Sequence, residues 1–191
     1  MNQQATLFPE PPRLPDGFTY RDDFLDPDEE RELFRIVEQE VLHPLVFQGF
    51  EAKRKVKSYG YHYHFDSRTI TEGVPIPEAY RWLLDKVAAD AGLPATALKE
   101  LLVTEYLPGS VINWHRDAPP FERVIGISLL SDCTFRFRPY GADKRTRRSV
   151  VSLPVRRRSI YVMDGESRNG WEHSTAPVQA TRYSLTIRTL R

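Results

Sequence analysis

A single cysteine, Cys133, excludes an intrachain disulfide, so packing and hydrogen bonding must hold the chain together. It sits in the apolar run GISLLSDCTFRF, where a thiol behaves as a small buried hydrophobe. A reducing cytoplasm fits such a chain. Long hydrophobic runs are missing too: nothing approaches the roughly 18 to 20 apolar residues of a membrane-spanning helix. The opening MNQQATLFPEPP has neither the basic start nor the apolar stretch of a secretory signal. The expectation is a soluble, cytoplasmic protein with no membrane partner. An excess of one charge is also lacking, since 27 Lys and Arg against 26 Asp and Glu leave a net charge of +1. No global field therefore recruits nucleic acid, and any such attraction must come from local clusters. Internal repeats are absent, nothing marks an obligate protein partner, and a monomer is expected.

What is present describes one globular domain. The 191 residues, 40% hydrophobic and 28% charged, suffice to bury a core without staples. FPEPPRLPD, residues 8–16, carries four prolines, which suits an extended arm over 1–16 preceding a domain over 17–191. Asp26-Pro27 followed by DEERELFRIVEQEVL predicts a helix with an Asp cap, Pro at its first position and acids in its first turn. Leu33, Phe34, Ile36, Val37 and Val41 form its apolar face. A second helix is expected from Pro77 to Ala91, stopped by Gly92. Beyond residue 99 the pattern becomes short strand-like runs: LLVTEY, VIGISLL, TFRFRP, SVVSLPV, SIYVMD and RYSLTIRTL. Such spacing predicts an antiparallel sandwich or barrel with the two helices packed outside it. In RYSLTIR the period of two puts Tyr183, Leu185 and Ile187 on a core face. Arg182, Ser184, Thr186 and Arg188 share the other, its two cations about 20 Å apart at roughly 3.3 Å per residue.

VTEYLPGSVINWHRDAPP, residues 103–120, places His115 and Asp117 two positions apart, on one side of an extended segment. Most such pairs are surface polar residues, though the two side chains also suit two arms around a divalent metal. A third ligand has to come from elsewhere, and the other histidines are His43, His62, His64 and His173. His173 lies in GESRNGWEHSTAP, fifty-six residues past Asp117, room enough for intervening strands to bring the chain back. Two imidazoles and one carboxylate make the facial triad of non-haem iron oxygenases, which leaves open positions for co-substrate and oxygen.

The ordered set EYLPG, WHRD, GISLL, GESRNGWEHSTAP and RYSLTIR, spanning roughly residues 17 to 190, resembles the AlkB-like branch of the Fe(II)- and 2-oxoglutarate-dependent dioxygenases. That family shows Tyr-x-Pro-Gly, His-x-Asp, a distant His and Arg-x5-Arg. The resemblance implies a mainly β fold with flanking helices, a double-stranded β-helix or jelly roll. It implies His115, Asp117 and His173 as catalytic iron ligands, Tyr106 and Arg182 on the distal carboxylate of 2-oxoglutarate, and Arg188 near its iron-chelating end. It also implies that Fe(II), 2-oxoglutarate and O2 together hydroxylate a C–H bond, with loss of formaldehyde when the target is an N-methyl group. Two departures from the family stand near the pocket: Thr104 and Ser184 occupy positions where relatives have Asn. A third is Pro119, where some relatives carry a second acid.

Upstream, EAKRKVKSYGYHYHFD offers Lys53, Arg54, Lys55 and Lys57 beside Tyr59, Tyr61, His62, Tyr63, His64 and Phe65. Phosphate contacts plus base stacking would serve single-stranded nucleic acid, at the position of the family's substrate lid. Alternating aromatics also make a half-buried strand, with lysines simply solvated. Lys144 to Arg148 and Arg156 to Arg158 either extend a phosphate-binding surface or confer solubility. His62 and His64 have the spacing of a strand metal pair without a third ligand nearby. Trp114 and Trp171 flank metal ligands and are expected to pack beneath the site. The sequence reading is oxidative dealkylation of nucleobases in single-stranded DNA or RNA. Its rivals are the same chemistry on a protein or small molecule, and a jelly-roll module that binds nucleic acid without turnover.

Overall fold

Asp26 begins helix α1 (Pro27–Val37) in the computed structural model, its carboxylate accepting the Asp28 and Glu29 N–H groups while the Glu29 side chain accepts the Asp26 N–H. The structure describes residues 14–47, 49–64, 67–141 and 149–191. Most of the expected N-terminal arm, Phe65 and the Lys144 to Arg148 cluster lie outside the described residues. Helix α1 buries Leu33 and Val37 but ends sooner than its pattern suggests, leaving Val41 66% exposed. Tertiary bonding decides this. The turn after Val37 delivers the Glu40 carboxylate to Lys57 Nζ (2.7 Å), Tyr59 Oη (2.5 Å) and Tyr80 Oη (2.9 Å), three donors that a continued helix would carry it past. Helix α2 (Arg81–Ala91) follows a 3-10 turn at Glu78–Tyr80 and stops at Gly92, whose φ of 63° is the left-handed conformation glycine adopts without strain.

Eleven strands follow in chain order among the described residues: β1 (Phe18–Arg21), β2 (His43–Phe47), β3 (Phe50–His64), β4 (Thr69–Glu72), β5 (Leu98–Tyr106) and β6 (Phe121–Leu129), then β7 (Cys133–Pro139), β8 (Val151–Val155), β9 (Ile160–Met163), β10 (Trp171–Thr175) and β11 (Arg182–Leu190). A short α3 (Gly165–Asn169) precedes β10. All pairings are antiparallel. The larger sheet runs β1-β9-β6-β11-β5-β3-β2, with β4 paired to β3, and the smaller runs β10-β7-β8. This is the double-stranded β-helix.

Strand alternation divides the interior in two. On one side of the large sheet Leu101, Val103, Ile125, Ile127, Leu185 and Ile187 meet helices α1 and α2. On the other, between the sheets, Phe18, Val124, Phe135, Phe137, Tyr161 and Met163 pack together, with Cys133 buried among them. The face of β11 that carries Arg182, Ser184, Thr186 and Arg188 is the one that looks between the sheets, away from the helix-facing core.

Strand β3 serves two partners. Residues Lys55 to Gly60 pair with β5, whereas Tyr61 to His64 pair with β4. Gly60 makes the transition at φ +78°, and a Cβ there would fall 2.0 Å from the Lys99 carbonyl oxygen. Only glycine fits. The hairpin formed by the end of β3 and β4 thus leaves the sheet at one residue.

Candidate active site

The segment after β5 runs beside β10, and His115 and His173 exchange two backbone hydrogen bonds of 3.1 and 2.9 Å. That bridge sets their rings side by side, centroids 4.2 Å apart, with Phe135 stacked on His173 at 5.3 Å. His115 Nδ1 lies 2.9 Å from the Asn113 carbonyl, an acceptor that makes Nδ1 the donor in this contact and sets Nε2 on the ring's other side.

Asp117 completes the group: one ligand atom from each of His115, Asp117 and His173 lies within 4.8 Å of the others. Its Oδ1 accepts Arg188 Nε (2.9 Å) and forms an ion pair with Nη2 (2.7 Å), whereas Oδ2 is buried without a hydrogen-bond partner, 3.4 Å from His173 Nε2. A buried carboxylate oxygen with no donor is expensive unless a cation completes it. Burial works to raise the Asp117 carboxyl, but Arg188, His173 and His115 outweigh it and hold the group well below the usual carboxylate range. Burial, with His115 beside it, pushes the His173 imidazole down to about 3, so it is neutral and can donate a lone pair. Two imidazoles and one carboxylate form a donor set that fits a divalent transition metal, iron included.

Further along the same face of β11 as Arg188 stands Arg182, 3% exposed, its Nε donating to Ser128 Oγ at 2.9 Å. It faces Tyr106, directly opposite it in register, guanidinium carbon 5.0 Å from the ring centroid. Among the described residues no carboxylate pairs with Arg182. A buried guanidinium without an acid suits an anionic ligand, and its planar donors match a carboxylate. Thr104 and Ser184 lie side by side in register beside Tyr106, the Ser184 hydroxyl 3.5 Å from Tyr106 Oη.

The upstream residues separate. Lys55 Nζ pairs with Glu105 (3.2 Å) and Lys57 Nζ with Glu40 (2.7 Å), so half of the basic run is neutralised internally. Arg54 is half-buried, donates weakly to the Val111 carbonyl at 3.4 Å and lies near Tyr106. Lys53 is exposed, and Tyr61 and Tyr63 are half-buried in the hairpin. Tyr59 is a correction: at 3% exposure it belongs to the helix-facing core and cannot stack on a base. Its place follows from the strand period, which puts it on the side of Leu101 and Val103.

Arg157 pairs with Glu30 (2.5 Å) and Arg158 with Asp23 (2.8 Å), so that cluster is tied to acids. His62 lies over Gly73 and His64 Nε2 is 2.8 Å from Thr71 Oγ1; neither joins a metal-type cluster among the described residues. Trp171 packs against the inter-sheet cluster, and Trp114 lies under Arg138 and Arg136, whose guanidinium carbons are 4.4 and 5.2 Å from its ring centroid.

Sequence reasoning missed two residues here. Glu100 is buried and accepts Arg188 Nη1 at 2.6 Å; its parity with Tyr106 along β5 was the available signal. Arg168, 5% exposed, donates through Nη2 to the carbonyls of Asp117 (3.2 Å), Ala118 (2.7 Å) and Phe121 (2.9 Å), and nothing in the sequence marks it.

A family profile described as the 2OG-Fe(II) oxygenase superfamily matches residues 17–189. The mouse (Mus musculus) protein named tRNA (carboxymethyluridine(34)-5-O)-methyltransferase ALKBH8 is 31% identical over 172 residues, covering 86% of this chain and 25% of that protein. The bovine (Bos taurus) RNA demethylase ALKBH5 is 31% identical over 111 residues, 53% of this chain and 27% of its own. The chain therefore matches about a quarter of the length of these curated relatives. A solved structure described as the structure of OsALKBH1 superposes with a TM-score of 0.71 at 15% identity, covering 91% of this chain and 96% of that one.

Proposed function

The chain belongs to the 2OG-Fe(II) oxygenase superfamily, in its AlkB-like branch, and on that premise we propose that it removes alkyl groups oxidatively from nucleobases in single-stranded DNA or RNA. As a dioxygenase of this family it draws on Fe(II), 2-oxoglutarate and O2. Iron, when bound, supplies the oxidising chemistry, in which 2-oxoglutarate becomes succinate and carbon dioxide while a substrate C–H bond is hydroxylated.

His115, Asp117 and His173 are the residues that would hold the iron. Arg182 takes the distal carboxylate of 2-oxoglutarate, Tyr106 adds its hydroxyl, and Arg188 fixes Asp117 from behind. The walls between the sheets keep bulk water from the reacting carbon and position it, which is the protein's main contribution to a cofactor-driven reaction. Lys53, Arg54, Tyr61 and Tyr63 are the remaining candidates for holding the nucleic acid strand, on and near the hairpin of β3 and β4. The observation that carries the reading is Asp117 Oδ2, buried without a donor between two imidazoles. Relatives named for RNA modification and RNA demethylation support the substrate class.

The test is formaldehyde release from a methylated oligonucleotide, dependent on iron and 2-oxoglutarate and abolished in His115→Ala. Undiminished product in that variant overturns the site. The pairing of Lys55 and Lys57 with acids favours one second reading, the same oxygenase on a protein or small molecule. Peptide-stimulated turnover of 2-oxoglutarate with no response to oligonucleotides would select it.

A further inference from the structure

Arg188 is gripped from two sides. Its Nε donates to Oδ1 of Asp117 at 2.9 Å and its Nη2 lies 2.7 Å from the same oxygen as an ion-pair contact, while Nη1 donates to Oε2 of Glu100 at 2.6 Å. The other Glu100 oxygen accepts the Ser58 hydroxyl at 3.2 Å. Both acids are buried, their side chains 7% and 4% exposed for Glu100 and Asp117.

That edge of an arginine ordinarily meets a carboxylate as a fork, one donor to each oxygen. Here Nε and Nη2 both lie against one oxygen, Nε as its donor, and the second oxygen is left bare. A shift of the guanidinium across the carboxylate would restore the fork and consume Oδ2. The anchor at Nη1 opposes that shift.

We propose that Glu100 is a positioning residue for the metal centre: by holding Nη1 of Arg188 it keeps the guanidinium on Oδ1 of Asp117 and reserves Oδ2 for the metal. The inference rests on the metal reading given above.

The test uses the metal-free full chain and Mn2+ alone, with binding followed by the electron paramagnetic resonance signal of free Mn2+. Glu100→Gln keeps the side chain's length and weakens Mn2+ binding about tenfold, the scale of lost outer partners of metal ligands. In an Arg188→Lys background, which has a cation but no fork, adding Glu100→Gln weakens binding no further. Ser58→Ala loosens Glu100 without removing a charge and shifts affinity in the same direction by a smaller factor, so it carries the test if Glu100→Gln does not fold. Wild-type affinity in folded Glu100→Gln, or in folded Ser58→Ala where that variant stands in, overturns the proposal. An equal loss from Glu100→Gln in the wild-type and Arg188→Lys backgrounds also overturns it, by making Glu100 a plain countercharge. A wild-type chain that takes up no Mn2+ overturns the metal centre itself, and this role of Glu100 with it.

Discussion

The Arg182 guanidinium carbon stands 5.0 Å from the ring centroid of Tyr106, and no carboxylate among the described residues neutralises it. Such a cation suits an anionic ligand. Arg182→Met is therefore expected to raise the KM for 2-oxoglutarate about 100-fold, the scale of a charge-assisted pair worth roughly 3 kcal/mol. The ligand-free protein should lose no stability, because an unpaired buried charge is removed. Steady-state kinetics and thermal unfolding with and without 2-oxoglutarate check both parts; an unchanged KM removes Arg182 from the pocket.

Arg168 ties three carbonyls of the loop that carries Asp117. Arg168→Met leaves buried acceptors without a donor, and a loss of about 3 kcal/mol in urea unfolding is expected. Metal affinity should fall as well, since the loop that aims Asp117 is no longer tied. A variant as stable as wild type would mean water replaces the guanidinium at no cost.

Burial alone would raise the Glu40 carboxyl, yet the donors Lys57, Tyr59 and Tyr80 hold it below the ordinary value. A depressed carboxyl contributes stability above its unfolded pKa, near 4.3, and loses it as pH falls through the folded one. Glu40→Gln should thus cost about 1 to 3 kcal/mol at pH 7, with the gap to wild type narrowing at pH 3.5. Urea titrations at the two pH values decide this; a constant gap would mean that the charge of Glu40 plays no part.

The lysines of β3 should behave unequally. Lys53→Glu removes an exposed cation, so single-stranded oligonucleotide binding should weaken and its logarithmic salt slope shrink by roughly 0.7 per lost phosphate contact. Lys57→Glu instead sets like charges against Glu40 and should lower the melting temperature. Fluorescence anisotropy across a salt series and thermal scans separate the two; equal effects on binding alone would reinstate the whole run as one phosphate track.

The helix start at Asp26, the stop at Gly92 and the two faces of β11 were legible because each depends on neighbours within a turn or a strand period. His115, Asp117 and His173 became a unit only through the family resemblance, since their convergence depends on a bridge between segments fifty-eight residues apart. Val41 went astray because Glu40 gathers three donors from two other segments, Lys57 and Tyr59 on β3 and Tyr80 before α2, a nonlocal arrangement no window of sequence displays. Strand β10 and helix α3 were hidden because WEHST is polar by residue type yet sits inside the structure, where Ser174 Oγ accepts from Arg136 and Thr175 Oγ1 from the Ile112 N–H. Ion pairing of Lys55 and Lys57 was invisible for the same reason as the Glu40 cluster.

Strand β3 belongs to the barrel up to Gly60 and to the peripheral hairpin after it. Gly60 also stands opposite Glu100 in register, so the hairpin's root abuts the carboxylate that braces Arg188. Residues 61–72 can consequently be exchanged for the corresponding ribbon of a relative without cutting any rung of the barrel. Under the proposed role of Tyr61 and Tyr63 in holding the strand, such chimaeras are expected to change which substrate is turned over while the surroundings of His115, Asp117 and His173 stay as built.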